Sequence, residues 1–251
     1  MNSTENQVAY RLRVRLRPSA RKRATKKRII IMGGMGPQAS LDLHRRILER
    51  ASALGARSGG DYPEMVHVSL PVDDEYFLSD RAKAEQAQRA VVEALECIQP
   101  SQNDKVVLAC NTIHLIAPDI EQRLNIKCLS LIEHTVDAAE ARGLKSIGLL
   151  GSPTTIQTKI YETPLGVKGI EVIVPSQAQI AMIEAAIRGV IAGQPTAPLR
   201  RKLRPIIRTL ERQGAQAIVL GCTELSVLFG DETDGYLDPL DIITGKLMEE
   251  N

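Results

Sequence analysis

Two stretches, Lys105-Val106-Val107-Leu108-Ala109-Cys110-Asn111-Thr112 and Ile218-Val219-Leu220-Gly221-Cys222-Thr223-Glu224, decide the fold. Each is a short apolar run, suited to a strand buried on both faces of a sheet, that ends in a cysteine and then turns polar. Upstream of each lies another such run that closes on glycine. Arg28–Met32 enters Gly33-Gly34-Met35-Gly36-Pro37, and Ser146–Leu150 enters Gly151-Ser152-Pro153. Gly151 follows Gly33 by 118 residues and Cys222 follows Cys110 by 112. Offsets so close predict two copies of one structural unit.

Working outward, further strands are predicted at Met65–Leu70, Lys127–Leu131 and Ile170–Val174, with the second cysteine strand starting at Ala215. Periodic apolar positions predict helices over Ser40–Leu54, Arg81–Ile98, Ile113–Leu124, Glu133–Arg142, Thr154–Tyr161, Gln177–Ala192, Leu199–Gln213 and Pro239–Glu249. This alternation predicts an α/β fold with parallel sheets covered by helices on both faces. Ligands in such sheets sit at the carboxyl ends of the strands. Two such ends facing one another make a cleft, with Cys110 and Cys222 on opposite sides.

Composition narrows the function classes. The chain has 251 residues, 43% hydrophobic and 25% charged, the profile of a globular protein. No apolar run approaches the roughly 18–20 residues of a membrane span, and the N-terminus lacks a secretory apolar region. Four scattered cysteines without a C-x-x-C pair argue against a disulfide scaffold or zinc ribbon and for a reducing cytoplasm. The net charge of +2 hides an asymmetry: residues 1–28 carry ten basic side chains against Glu5, leaving residues 29–251 at −7. Residues 1–27 are expected to form a basic, disordered extension, with an organelle transit peptide or an anion-docking arm left open. With no Trp, two Phe and no recognition motif, nucleic acid is not an expected partner.

The cysteines carry the chemistry. A thiol just past a strand and before a helix meets the positive end of the helix dipole, which is expected to lower its pKa and prepare it as base or nucleophile. Cys97, on the apolar side of a helix, and Cys128, in a strand, are expected to be structural. The Gly33–Gly36 turn fits neither G-x-G-x-x-G, since Ala39 stands at the last glycine, nor a P-loop. A tight turn and a backbone site for a carboxylate or phosphate both remain open there. A zinc site from Cys110, His114 and Cys222 has only weak spacing support.

Gly33-Gly34-Met35-Gly36-Pro37, Cys110-Asn111-Thr112-Ile113-His114, Gly221-Cys222-Thr223-Glu224-Leu225 and Asp238-Pro239 resemble the aspartate/glutamate racemase family over about residues 28–250. Glu224 after Cys-Thr resembles the aspartate racemase branch. The resemblance implies two Rossmann-like lobes related by a pseudo-two-fold axis, with the active site between them. The first lobe would span 28–132 plus 236–251, the C-terminal helix returning to it, and the second 133–235. It implies a homodimer and racemisation of a small-molecule amino acid with no cofactor and no metal, one cysteine thiolate removing the α-proton and the other thiol reprotonating the opposite face. By that resemblance, Gly34, Met35, Asn111, Thr112, Thr223 and Glu224 would hold substrate, with His114 and Tyr76 as tuning residues.

Two departures bear on the substrate. The family's Asp-Arg-Thr segment reads Asp73-Asp74-Glu75-Tyr76-Phe77 here, and a lysine of the second lobe is replaced by Ile191. Losing both cations points away from aspartate, and the acidic run could suit a basic side chain. Other readings stay open on sequence: a hydantoin racemase, a maleate cis–trans isomerase, and a non-catalytic two-lobed ligand-binding protein. The intact cysteine pair argues against a malonate decarboxylase, which needs one.

Overall fold

A computed structural model describes residues 27–72, 81–230 and 235–249. Strands β1 (Ile29–Gly33), β2 (Met65–Ser69), β3 (Lys105–Leu108) and β4 (Cys128–Leu129) form one parallel sheet in the order β2-β1-β3-β4. Strands β5 (Ser146–Leu150), β6 (Glu171–Ile173), β7 (Ile218–Leu220) and β8 (Tyr236–Leu237) form a second in the order β6-β5-β7-β8. The two sheets repeat one another down to the register. Met32 lies opposite Leu108, and Leu150 opposite Leu220. One step further, the Ala109 amide donates to the Met32 carbonyl at 2.8 Å and the Gly221 amide to the Leu150 carbonyl at 2.6 Å. Each cysteine is therefore the second residue past the last paired one, beside the turn that leaves the central strand. The α/β fold with parallel sheets expected from the sequence is the fold observed. β1 and β3 are buried at every position, which is why they read as unbroken apolar runs.

Helices α1 (Pro37–Ala53), α2 (Arg81–Ile98) and α3 (Ala117–Leu124) accompany the first sheet, followed by α4 (Leu131–Ala141), whose Ile132, Val136 and Ala139 pack with Ile147 and Leu149 of the second sheet, and by α5 (Pro153–Gln157), α6 (Glu162–Val167), α7 (Gln177–Ile191), α8 (Thr196–Arg212), α9 (Thr223–Phe229) and α10 (Pro239–Glu249). In α10, Leu240, Ile243 and Leu247 pack with Ile29, Ile31 and Val107, so the last helix covers the first sheet. The return begins later than position 236. Tyr236 and Leu237 pair with β7, Tyr236 stacks on Phe229, and Leu237 sits in the core beneath the second sheet. A charged tie also joins the halves. The buried Arg46 of α1 reaches Asp42 at 2.7 Å, Asp238 at 2.8 Å and the Ser226 carbonyl at 3.1 Å.

Several elements differ from expectation. The helix predicted over Ile113–Leu124 is a 3-10 turn (Thr112–Leu115) and then α3, with Pro118 in the first turn where its missing amide costs nothing. The helix predicted over Thr154–Tyr161 stops at Gln157. Lys159 takes a left-handed conformation (φ 53), and α6 starts afresh at Glu162. The sequence reading expects a helix after Cys222 without giving it bounds, where α9 lies, and has no counterpart to β8. Cys97 is exposed rather than packed on the apolar side of α2. Tyr76 and the Asp73-Asp74-Glu75 run lie outside the described residues, as does nearly all of the basic extension.

Candidate active site

Cys110 and Cys222 line one cleft between the two sheets, together with Met35, Asn111, Thr112 and Glu224. Its empty volume of about 690 Å³, open mouth included, suits a small molecule. Six of the expected site residues thus meet. Of the other four, Tyr76 lies outside the described residues, and Gly34, Thr223 and His114 do not line the cleft but have other work.

The glycine turn explains two of these placements. Gly34 (φ 92) lies against the backbone of Leu70, where a Cβ would overlap it, so Gly34 serves strand packing. Gly36 (φ 119) lies against the Glu224 side chain of the opposite half, where a Cβ would overlap the carboxylate. The turn therefore does close on a carboxylate, but on the protein's own. Met35, between them, faces the cleft.

The two thiols differ in their partners. Cys110 Sγ lies 3.4 Å from Thr112 Oγ1, while Cys222 Sγ donates to Glu224 Oε2 at 3.0 Å. Thr223 is buried and donates its hydroxyl to the same carboxylate oxygen at 3.3 Å, which fixes Glu224 rather than a ligand. The pKa direction expected from the helix dipole is overturned. Burial pushes the Cys110 thiol up against the pull of Thr112 and of the Thr112 and Ile113 amides, and the Glu224 charge pushes it further. Burial pushes Cys222 well up, reinforced by the Glu224 carboxylate and by Cys110, against the Glu224 amide. The amides at the turns do face the sulfurs, as expected, but desolvation and a neighbouring anion outweigh them. That Glu224 acts on both sulfurs, and Cys110 on Cys222, places the three within electrostatic reach of one another.

His114 is engaged entirely by backbone. Its Nε2 accepts from the Leu131 amide at 3.1 Å, so the ring proton sits on Nδ1, which donates to the carbonyls of Cys110 (2.9 Å) and Asn111 (3.1 Å). Burial lowers its pKa and keeps it neutral. It braces the turn that carries Cys110 and has no nitrogen left for zinc. No group of three or more His, Cys, Asp or Glu among the described residues is arranged to hold a metal.

Sequence reasoning missed the far wall. Ser152, Thr154 and Thr155 bring hydroxyls to the cleft from the turn after β5, and Ile187, Arg188 and Ile191 come from α7. The match between the two glycine turns was the available signal for Ser152 to Thr155. Arg188 is ion-paired to Glu184, also at the cleft, at 2.9 Å.

Comparison with known proteins adds the family. A profile of the Asp/Glu/Hydantoin racemase family matches residues 32–245. The broad specificity amino-acid racemase RacX of Bacillus subtilis (strain 168) is 29% identical over 202 residues, 79% of this chain and 86% of that protein. An aspartate racemase homologue from Pyrococcus horikoshii OT3 superposes with a TM-score of 0.70 at 26% identity, covering 90% of this chain and 98% of that one. The aspartate racemase of Picrophilus torridus superposes with a TM-score of 0.70 at 23% identity, covering 89% and 93%, a likeness of fold alone.

Proposed function

Because the chain belongs to the Asp/Glu/Hydantoin racemase family, we propose that it is an amino-acid racemase that needs no cofactor and uses Cys110 and Cys222 as opposed acid and base. The observation that carries this reading is the shared cleft with one cysteine at the carboxyl end of each sheet. Inversion of a stereocentre by proton exchange needs a base on one face and an acid on the other. A thiolate takes the α-proton and becomes a thiol, and the pair of electrons passes into the carboxylate. The second thiol then gives its proton to the opposite face and becomes the thiolate, so the proton count closes with the roles exchanged.

Both thiols must lose a proton more readily when substrate is bound than when it is absent. The α-ammonium of an amino acid, held by Glu224, supplies the positive charge that lowers them. Amide and hydroxyl donors of Asn111, Thr112 and the Ser152–Thr155 turn would take the carboxylate and stabilise the charge that builds on it. Met35, Ile187 and Ile191 leave an apolar wall, and the one cation lining the cleft among the described residues, Arg188, is paired with Glu184. These features favour an amino acid with an uncharged side chain over aspartate. A homodimer and a reducing, cytoplasmic setting complete the reading. The dimer rests on the family resemblance, and light scattering of the purified chain tests it. No helix among the described residues is long and apolar enough to cross a membrane.

The test is incubation without added cofactor of single enantiomers of alanine, serine, aspartate, glutamate, lysine and arginine, followed by chiral chromatography, beside Cys110→Ala and Cys222→Ala. Inversion lost in both variants supports the proposal. Aspartate turned over far faster than every other amino acid would defeat the substrate preference, and no inversion of any amino acid would defeat the racemase.

A further inference from the structure

Tyr161 is a fully buried side chain that neither the sequence reading nor the family resemblance connects to the chemistry. It sits in the break between α5 and α6, where left-handed Lys159 ends one helix before the next begins at Glu162. That break delivers its ring into the core and its hydroxyl to Asn111, with Oη donating to Asn111 Oδ1 at 2.9 Å. Asn111 is only 2% exposed and lines the cleft, and its Nδ2 is buried with no protein partner. A buried amide N–H without an acceptor is costly, so such a group implies an acceptor that arrives from outside.

A carboxamide can turn over and exchange its oxygen for its nitrogen at little cost in shape. If it did so here, the oxygen would take the place of the unpartnered Nδ2 and repel an anion bound there. The hydrogen bond from Tyr161 opposes this, since a turned amide would have to donate to Oη and send the phenol's proton to Thr135, whose hydroxyl already donates to the Leu131 carbonyl. A phenol has one proton to give, and burial pushes its pKa far above the ordinary value, so it stays a donor at any working pH. We propose that Tyr161 is a positioning residue that locks Asn111 with Nδ2 toward the cleft, making that nitrogen the donor for the substrate's α-carboxylate. The inference rests on the racemase reading for the identity of the carboxylate, but the locking itself does not.

The test is a double-mutant cycle on the full chain with Tyr161→Phe, Asn111→Ala and the pair, read as kcat and KM for the amino acid that is inverted. Tyr161→Phe keeps the buried ring and removes the proton. A hydrogen bond to charge that strengthens as the carboxylate gains charge should cost kcat about tenfold and raise KM less. In the Asn111→Ala background the same change should cost under twofold, because there is no amide left to orient. Equal losses in both backgrounds would mean a merely structural tyrosine and would overturn the proposal. Asn111→Asp is the check should Tyr161→Phe not fold. Tyr161 would still be satisfied while an anion faced the cleft, so Asp must cost more than Ala, and an Asp variant as active as Ala would overturn the proposal. A readout independent of turnover is the side-chain ¹⁵N–¹H signal of Asn111, assigned by its loss in Asn111→Ala, with acetate as the probe. It should move on titration in the wild type and not in Tyr161→Phe. Should no amino acid be inverted while this difference persists, the locking stands and the racemase reading alone falls. An identical response in both proteins overturns the locking.

Discussion

The ends of β3 and β7 have the same backbone and different side chains. Both strands lie in the same place in sheets of the same order, and both hand over to a cysteine through one amide bonded to the central strand. Past that point they diverge. Cys110 precedes a 3-10 turn capped by Asn111, which answers to Tyr161, whereas Cys222 itself caps the regular helix α9, and two residues on stands Glu224, which accepts the Cys222 thiol. One side presents an amide donor and the other a carboxylate. Under the proposed function, the duplicated backbone supplies the two proton-transfer groups, and the residues after each cysteine set a buried amide beside one thiol and a carboxylate beside the other.

Removing either thiol is the strongest way to break this comparison. Cys110→Ala and Cys222→Ala should each cut full inversion by about 10³-fold, within the range for loss of a general acid or base. Each should retain α-proton exchange from one enantiomer only, and opposite ones, measured by NMR in D₂O. The tie between the halves comes next. Arg46→Met leaves Asp42 and Asp238 without their buried cation, for an expected loss of about 3–5 kcal/mol in urea unfolding. A single transition that becomes two would show that the halves rely on this tie to unfold together.

Glu224→Gln sharpens the electrostatic difference. With both thiols raised, kcat/KM of the wild type should keep climbing above the ordinary thiol value of about 8.5. Removing the carboxylate charge takes away a cause of the rise in both, so the limb should move toward neutrality, even as weaker ammonium binding lowers the maximum. A limb that stays in place would sink the assignment of Glu224. The smallest effect concerns His114. Its folded pKa is lowered, so only the unfolded chain gains a proton as the pH first falls below about 6.5. His114 should therefore remove stability below that pH, by at most about 1.4 kcal/mol per pH unit, and cost nothing above it. In His114→Gln that part of the slope should vanish from pH-dependent urea unfolding, leaving the share of His67, whose pKa is also lowered by burial.

Much of this was legible in the sequence because burial on both faces leaves unmistakable apolar runs, and β1, β3, β5 and β7 were all found this way. Cys110 and Cys222 were legible because the repeat put them at matching strand ends, whereas Met35, Asn111, Thr112 and Glu224 were legible only through the family resemblance. What was hidden depends on contacts distant in sequence. Tyr161 meets Asn111 only because Lys159 breaks a helix that composition alone would continue, and Arg46 meets Asp238 across 192 residues. β8 is two residues long and draws its place from Tyr236 against Phe229. The thiol pKa direction was misread because local sequence shows the helix dipole but not the desolvation imposed by the opposing half.

The central claim, two opposed thiols acting on one carbon, is tested most directly by the position of deuterium early in the reaction. A single enantiomer of the best substrate is incubated with the wild type in D₂O and stopped before a tenth has inverted, and both enantiomers are recovered and analysed by mass spectrometry. The account predicts deuterium at Cα in nearly all of the product and very little in the remaining substrate, because the proton removed by one cysteine is not the one delivered by the other. Equal early labelling of both enantiomers would mean that one group serves both faces and would contradict it.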